Sequence, residues 1–250
     1  MKEWISGRNP ILEVLRAHRR QVFRLWLAKG IVEDQRVKEI LQLVRESAVV
    51  VEVVDRSQLD NIVENHQGMA MQVSAYPYVD LHTILRQSQT SKELPFLLLL
   101  DQLQDPQNFG TLIRSARAFG VHGIVIPPSR AVGVTASVVH ASSGASEHLL
   151  IAQGNLAQAI EFLKSNDVWI LGLEGSAEHP PISQVNLNVA MAVVVGSEGS
   201  GLRPLVRRSC DFLAHIPMTR GMESLNAAVA GSIALFLIYQ SRSKIGEVAR

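Results

Sequence analysis

Cysteine is nearly absent from this chain, because Cys210 is the only one among 250 residues. A single cysteine excludes an internal disulfide and a zinc site built from several cysteines, and it fits a reducing cytoplasm. Neither sign of charge is in excess, since 24 Lys and Arg stand against 23 Asp and Glu, for a net charge of +1. Any affinity for nucleic acid must therefore come from a local patch and not from the overall charge.

Long apolar runs are also missing. The longest, Leu225 to Tyr239, is interrupted by Asn226 and Ser232 and is shorter than the ~20 residues that a bilayer span requires. The first ten residues contain no apolar signal core. With 47% hydrophobic and 19% charged residues, the composition is typical of a globular protein. We therefore expect a soluble cytoplasmic protein that has no membrane partner.

The first half of the chain predicts a small α/β unit that ends near Tyr78. Its segments with the residue pattern of strands are Val22–Ala28, Val49–Val54 and Met69–Ala75. The helices between them are predicted to start at Asn9 with Pro10, at Asp34 and at Ser57. Residues 79–93 are polar, which predicts a linker, although the first part of this stretch also fits a helical turn.

The second half alternates apolar strand-like runs with helical patterns. The runs are Phe96–Leu100, Val121–Ile126, Val168–Leu173, Ala190–Val195 and Phe212–Ile216. Nearly continuous apolar strands between helices indicate a parallel sheet that is covered on both faces. Such sheets bind ligands at the carboxyl ends of their strands, so the loops that follow these runs are the candidate functional segments.

The first of these loops runs from Asp101 to Gly110 and leads into a helix that is predicted to stop at Gly120. Arg114 lies one turn from the start of that helix, close to the strand ends. The functional interpretation places this guanidinium at the ligand-binding edge. A capped helix with solvated arginines explains the segment equally well.

The second loop contains Gly196, Gly199 and Gly201 directly after a buried strand. Glycine allows the backbone to approach a ligand closely, but a purely structural turn has the same composition. A dinucleotide-binding loop has the order G-x-G-x-x-G, whereas this loop has G-x-x-G-x-G late in the chain. No Gly-Lys-Ser/Thr follows, so the loop is not a P-loop.

The third loop runs from Ile216 to Asn226. Ser224 and Asn226 are residues that favour a helix start, so capping is the alternative to a functional role. The helix that they open is apolar nearly all round, as buried helices are. At the end of the chain, this pattern predicts a subunit interface.

These segments together resemble the SpoU, or TrmH-like, branch of the SPOUT RNA methyltransferases, in order and at typical intervals from about Phe96 to Ser241. The residues that match its three motifs are Asn108, Gly110 and Arg114, then Gly196, Glu198 and Gly201 with Ile216 and Pro217, and finally Ser224, Leu225 and Asn226. Ala141–Glu147 also resembles a small-residue signature of the family.

Two segments of the first half, Gly7–Leu15 and His66–Ala70, resemble the L30e-like substrate-binding domain of RlmB-type enzymes, which methylate a guanosine of 23S ribosomal RNA. Pro10 stands where that family has a small or aliphatic residue. Related enzymes with the same layout act on tRNA or on other rRNA sites, so those targets remain open.

The resemblance implies an α/β fold in which a small L30e-like domain (1–78) and a linker (79–93) precede a trefoil-knotted parallel-sheet methyltransferase domain (94–250). It also implies a homodimer through the C-terminal helix, with both active sites at the interface. The implied reaction transfers a methyl group from S-adenosylmethionine to a ribose 2′-hydroxyl of RNA, and it needs no metal.

The resemblance also assigns roles to residues. The implied catalytic residues are Asn108, Arg114, Glu198, Ser224 and Asn226, and the implied cofactor-binding residues are Gly196, Ile216, Met218 and Leu225. Arg114 would clamp a phosphate and stabilise charge on the 2′-oxygen, because a guanidinium is almost never deprotonated. Asn108 would orient Arg114 or the ribose, and Glu198 would position the nucleophile or Arg114.

A basic cluster in the first half is the candidate RNA contact. Its members are Arg16, His18, Arg19, Arg20 and Arg24. Each arginine alone fits a solvated helix end, but the cluster predicts phosphate contact and salt-sensitive binding. His66 and His140 have no partner at metal-ligand spacing, so we expect them to be ordinary polar residues.

Two other classes of protein make different predictions. A non-catalytic RNA-binding protein on the same fold predicts damage to the first or third motif, and both are intact. A nucleotide-dependent oxidoreductase predicts a glycine fingerprint after the first strand of the sheet, where this chain has Asp105–Asn108.

Overall fold

The computed structural model describes residues 2–176, 178–219 and 224–248. The chain divides into two units. Unit 1 consists of Met1–Pro77 and Val134–His148, and unit 2 consists of Tyr78–Gly133 and Leu149–Arg250. The second segment of unit 1 therefore comes from the part of the sequence that was assigned to the methyltransferase domain.

The elements follow one another along the chain as β1 (Lys2–Ser6), α1 (Arg8–Ala17), β2 (Val22–Ala28), α2 (Gln35–Glu46), β3 (Val50–Val54), α3 (Arg56–Asp60), β4 (Met69–Ser74), α4 (Leu81–Ser91), β5 (Phe96–Leu100), α5 (Pro106–Ala118), β6 (Gly123–Ile126), α6 (Ala136–Ala141), β7 (Leu150–Gln153), α7 (Leu156–Lys164), β8 (Trp169–Leu173), β9 (Met191–Val195), α8 (Pro204–Ser209), β10 (Phe212–Ala214) and α9 (Ala227–Val248). Single 3₁₀ turns occupy Ala145–His148 and Ile182–Gln184.

Unit 1 is built on a four-stranded sheet in the order β1-β4-β2-β3. Strands β2 and β3 are parallel, and β4 is antiparallel to both β1 and β2. Met71 pairs with Ile5 on one side and with Leu25 on the other, so these three buried side chains share one face. Helix α1 packs against this sheet and against α2, which closes the core of the unit.

Two helix starts in unit 1 differ from the predicted ones. Helix α1 begins after Gly7, whose φ of 89° suits glycine, and not after Asn9. Helix α3 begins after Asp55 and not after Ser57, because Asp55 forms a capping box with Gln58. Strand β1 was not predicted at all.

Unit 2 is built on a six-stranded sheet in the order β10-β8-β9-β5-β6-β7, and every strand pair in it is parallel. The predicted parallel sheet is confirmed. Every residue of β5 and β9 is buried, as expected for central strands that helices cover on both faces. The polar loops after β5 and β9 therefore emerge side by side at the carboxyl edge of the sheet.

The prediction of a linker at residues 79–93 is wrong, because most of this stretch is helix α4. Asp80 caps the helix by accepting a hydrogen bond from the Thr83 amide. Ile84 and Leu85 are buried in the core of unit 2, where α4 packs against β7. Val79 also pairs with Ala152 of β7, so the segment is an integral part of the unit.

Helix α9 packs along α5 and β9. Gly231 lies so close to α5 that an added Cβ would stand 2.6 Å from Leu112 Cδ2. The sequence of this helix is apolar nearly all round, but only one side of the helix is buried. On the other side Val229, Phe236 and Tyr239 are 43% to 45% exposed, and Phe119, the residue that follows α5, packs against both aromatic rings at a tilt.

Candidate active site

Three side chains from the three predicted loops meet at the carboxyl edge of the unit 2 sheet. Asn226 Nδ2 donates hydrogen bonds to Glu198 Oε1 at 2.7 Å and to Asn108 Oδ1 at 3.1 Å. Asn108 Nδ2 also donates to Glu198 Oε1. The loops after β5 and β9 and the start of α9 are thus joined by one polar cluster, which we call the Asn–Glu–Asn cluster.

Helix capping fixes the two asparagines of this cluster. Asn226 Oδ1 accepts hydrogen bonds from the amides of Ala228 and Val229, which orients its Nδ2 toward Glu198. The backbone amide of Asn108 donates a hydrogen bond to Asp105, the residue that caps α5. Capping was the alternative to a functional role for Asn226. In the structure one side chain makes both kinds of contact, because its Oδ1 caps α9 while its Nδ2 binds Glu198.

Glu198 lies on a tight turn. The amides and carbonyls of Ser197 and Gly201 exchange two hydrogen bonds of 3.1 Å across it. Gly199 and Gly201 have φ values of 85° and 62°, which favour glycine. A Cβ on Gly196 would stand 2.3 Å from the Gly201 carbonyl carbon, so only glycine allows the turn to fold back on its strand.

An ion pair between a buried carboxylate and an exposed arginine braces the same two loops and was not predicted. Asp101, which directly follows β5, is fully buried, and Arg203 follows the Glu198 turn. The Asp101 carboxylate accepts hydrogen bonds from the Arg203 backbone amide at 2.8 Å and from its Nε at 2.6 Å. The position of Asp101 at a strand end is a signal that sequence reasoning could have used.

A cavity of about 240 Å³ lies beside the cluster. The four predicted cofactor-binding residues all line it, namely Gly196, Ile216, Met218 and Leu225. Of the predicted catalytic residues, Glu198 and Ser224 also line it. Residues 220–223 of the third loop lie outside the described residues.

The charge of the cavity comes from carboxylates. Among its described lining residues the only charged side chains are Glu174 and Glu198. Glu174 directly follows β8 and is held by Arg207, whose Nε donates to Glu174 Oε1 at 3.0 Å. Sequence reasoning missed Glu174 because no motif contains it. The walls of the cavity are apolar side chains, glycine backbone and two carboxylates. This lining fits a cofactor that carries sulfonium and ammonium cations.

Arg114 is not part of the Asn–Glu–Asn cluster. It is exposed on α5 and makes no hydrogen bond or ion pair with the described residues. Six residues separate it from Asn108, which places the two side chains about 120° apart around the helix. The prediction that Asn108 or Glu198 orients Arg114 is therefore wrong within a single chain.

The predicted basic cluster of unit 1 is largely neutralised. Arg20 is buried and pairs with Glu147 and Glu3, so the prediction that it contacts RNA is wrong. Burial alone would lower the pKa of Arg20, but the hydrogen bond and the charge of Glu147 raise it above its usual value.

The other three arginines of that cluster also have partners. Arg19 donates to the Tyr76 hydroxyl and to the Pro77 carbonyl, both at 3.1 Å. Exposed Arg16 pairs with Glu13 and Glu39, and half-exposed Arg24 pairs with Glu52. The structure therefore presents no unpaired arginine patch at these four positions.

Three further observations concern metal binding, His66 and membrane insertion. Within the described residues, no group of three or more His, Cys, Asp and Glu side chains is placed to hold a metal ion. His66 is buried, with Nε2 at 2.9 Å from Asp60 and Nδ1 accepting from the Gly68 amide, which agrees with an ordinary structural histidine. In the described part of the chain no helix is long and apolar enough to cross a membrane.

Comparison with known proteins agrees with this geometry. Residues 95–236 match the SpoU rRNA Methylase family, and residues 4–79 match a family described as RNA 2′-O ribose methyltransferase substrate binding. The chain is 38% identical over 247 residues to YacO of Bacillus subtilis, named as a TrmH family tRNA/rRNA methyltransferase, with 98% of each chain covered. A Staphylococcus haemolyticus protein with the same family name is 35% identical over 248 residues, again with 98% of each covered.

Solved structures show the same fold. The SpoU methyltransferase AviRb from Streptomyces viridochromogenes, in complex with AdoMet, matches with a TM-score of 0.82 and 22% identity over 97% of this chain and 91% of that one. An AdoMet-bound rRNA methyltransferase from Sinorhizobium meliloti matches with a TM-score of 0.80 and 22% identity over 96% and 87%.

The chain therefore belongs to the SpoU rRNA methylase family. It is an RNA 2′-O-ribose methyltransferase that uses S-adenosylmethionine. The cavity beside the Asn–Glu–Asn cluster is lined by all four residues predicted to bind the cofactor. It is the candidate site for that cofactor, and we call it the cofactor cavity.

Proposed function

We propose that the Asn–Glu–Asn cluster directs methyl transfer to a ribose 2′-hydroxyl of 23S ribosomal RNA, and that the acceptor nucleotide is a guanosine. The observation that carries the first part is the position of Glu198, which lines the cofactor cavity and is held by two asparagine amides. The RlmB-like segments of unit 1 support the second part. Relatives named as tRNA/rRNA methyltransferases support an RNA target of either kind.

Backbone and apolar groups would hold most of the cofactor. Gly196, Ile216, Met218 and Leu225 line its cavity and would contact it, and the carboxylates of Glu174 and Glu198 would offset its positive charge. When bound, S-adenosylmethionine supplies an electrophilic methyl group.

Glu198 is the residue that meets the acceptor hydroxyl. Both asparagines donate to its Oε1, and no hydrogen bond within the described residues engages Oε2. Oε2 accepts the proton of the 2′-hydroxyl and so strengthens the oxygen as a nucleophile. Ser224, exposed on the wall of the cavity, contributes a hydroxyl that hydrogen-bonds the cofactor or the ribose.

Arg114 acts across a homodimer interface. It has no partner among the described residues of its own chain and lies on α5, which packs against α9. The exposed apolar face of α9, formed by Val229, Phe236 and Tyr239, supplies the contact between subunits. In this arrangement the guanidinium stabilises negative charge on the 2′-oxygen in the partner subunit's site. The resemblance further implies that unit 2 is tied in a trefoil knot.

Mapping of 2′-O-methyl positions in total RNA from cells with and without the gene tests the target. We expect a single guanosine of 23S rRNA to lose its methyl group when the gene is absent. A lost position in tRNA, or in another rRNA, would contradict the target while leaving the chemistry unchanged. The names of the relatives make tRNA the second candidate.

A further inference from the structure

A second cavity adjoins the cofactor cavity, and Ser197 and Glu198 line both. It has a volume of about 350 Å³. Its remaining walls are Gln102, Leu103, Gln104, Asp105 and Ser200. Glu198 therefore stands at the junction of two compartments, one of which is assigned to the cofactor.

The lining of the second cavity is unsuited to phosphate. None of the described residues that line it is cationic, and two of them, Asp105 and Glu198, are carboxylates. The cavity suits a neutral group that forms hydrogen bonds. Both Asp105 oxygens already accept from backbone amides of α5, so Asp105 has little capacity left for a ligand.

Two glutamines supply the available hydrogen-bonding groups. Neither the Gln102 nor the Gln104 side chain is hydrogen-bonded within the described residues. Each amide offers one acceptor oxygen and two N–H donors, a combination that matches the edge of a nucleobase. Gln102 is also held at a φ of 63°, a conformation that residues other than glycine seldom adopt and that clusters at functional sites.

The loop that carries these glutamines is fixed at three points. Asp101 is bound by Arg203, the Leu103 carbonyl accepts from the Val132 amide at 2.9 Å, and Asp105 caps α5. A rigid loop holds its side chains in place before the ligand arrives, which is what selective recognition requires.

We propose that this second cavity receives the base of the acceptor nucleotide and that Gln102 and Gln104 read its edge. The inference rests on the proposed function. A ribose whose 2′-oxygen meets Glu198 carries its base on the neighbouring carbon, so the base must lie within a few ångströms of this junction. The cofactor occupies one side of Glu198, which leaves the second cavity for the base.

Two conservative variants test the proposal. Gln104→Met keeps the length of the side chain and removes its hydrogen bonds. Gln102→Asn tolerates the positive φ and shortens the amide by one carbon. Gln87→Met, on the exposed surface of α4, is the matched control. The probe is total RNA from cells that lack the gene, incubated with tritiated S-adenosylmethionine, and the methylated positions are mapped by sequencing.

We expect each cavity variant to lose about tenfold in kcat/KM for RNA and to methylate additional nucleotides that carry other bases. The dissociation constant of S-adenosylmethionine and the melting temperature should match those of Gln87→Met. Unchanged kcat/KM with an unchanged methylation map would overturn the proposal, and so would a parallel loss of cofactor affinity. If wild-type protein methylates no ribose in this RNA, the proposed function fails as well, which distinguishes the two failures.

Discussion

At the scale of single residues, Asn226 shows how one side chain can cap a helix and also hold its place in a proposed catalytic cluster. Its carbonyl oxygen caps α9, and its amide nitrogen binds Glu198 and Asn108. An amide is the only common capping group that accepts with one atom and donates with the other. Serine, threonine and aspartate satisfy the cap alone.

Asn226→Asp separates these two contacts. The carboxylate still caps α9 but loses both donor hydrogen bonds and places a negative charge beside Glu198. We expect the melting temperature to change little and methyl transfer to fall by about 10²-fold or more. Steady-state kinetics together with thermal melting measure the two effects. Wild-type turnover in this variant would show that the cluster has no part in the reaction.

Cys210 gives a prediction about alkaline pH. Burial, together with the negative charge of Asp211, raises the pKa of its thiol from 9.0 to about 12. The unfolded chain therefore releases the thiol proton first, and the free energy of unfolding falls as the pH rises from 9.0 toward about 12. Below pH 9 this contribution is fully present.

Urea unfolding of wild-type protein and Cys210→Ala over that pH range measures this contribution. The difference in stability between the two proteins should shrink as the pH rises, because only the wild type has the titrating thiol. Parallel curves would contradict the raised pKa of the half-buried Cys210 thiol.

At the scale of elements, the segment Val134–His148 packs in unit 1 because of a buried charge. Glu147 and the Arg20 side chain are both fully inaccessible to solvent and form an ion pair at 2.7 Å. The sequence shows Arg20 as one member of a basic cluster and Glu147 only as part of a small-residue segment, and it gives no sign that these two residues, 127 positions apart, form a pair. A long-range ion pair of this kind cannot be predicted from local pattern.

Arg20→Met tests this structural role. The variant leaves Glu147 buried without its partner, which should cost about 3–5 kcal/mol of the free energy of unfolding. Arg16→Met removes only solvent-exposed ion pairs, with Glu13 and Glu39, and should cost much less than the loss of the buried pair. Chemical denaturation of both variants gives the comparison. Equal losses would mean that the Arg20 pair is not buried in solution.

The elements show where sequence reasoning succeeds. Strand β2 was predicted at its observed bounds, and the central strands of unit 2 were found because buried parallel strands are nearly continuous in apolar residues. Helix α4 was missed because its buried side chains are sparse beside a polar run. Strand β7 was missed although β6 is equally short; only the two middle residues of β7, Ile151 and Ala152, are buried, and the strand ends in polar Gln153.

The site likewise has parts that the sequence predicts and parts that it does not. Asn108, Glu198 and Asn226 were named from the family motifs, and the four residues predicted to bind the cofactor all line one cavity. Their hydrogen-bond partners were not predicted, because spacing along the chain does not give the direction of a side chain. Glu174 and the Asp101–Arg203 pair lie outside every motif and became visible only in the fold.

At the scale of the whole molecule, the proposed homodimer accounts for two features that one chain leaves unexplained. These are the exposed apolar face of α9 and the exposed, unpartnered guanidinium of Arg114 among the described residues. If Arg114 serves the partner subunit's site, each active site needs Glu198 from one chain and Arg114 from the other.

Co-expression of Arg114→Ala with Glu198→Gln tests this arrangement. Each homodimer should be inactive, whereas a mixed dimer contains one site in which both residues are intact. We therefore expect purified mixed dimers to recover methyl transfer. If Arg114 acts within its own chain, both sites of the mixed dimer are damaged and activity stays absent. A dimer of Arg86→Ala, an exposed arginine of α4, should retain full activity.

The proposed role of Glu198, which two asparagines fix at the edge of the cofactor cavity, is to accept the proton of the ribose 2′-hydroxyl. A single-turnover measurement of methyl transfer to ribosomal RNA by Glu198→Gln, with saturating S-adenosylmethionine, tests it most directly. Exposed Glu161→Gln serves as the control. We predict a rate lower by about 10²–10⁴-fold, with cofactor affinity changed only slightly. A wild-type single-turnover rate in Glu198→Gln would contradict the account.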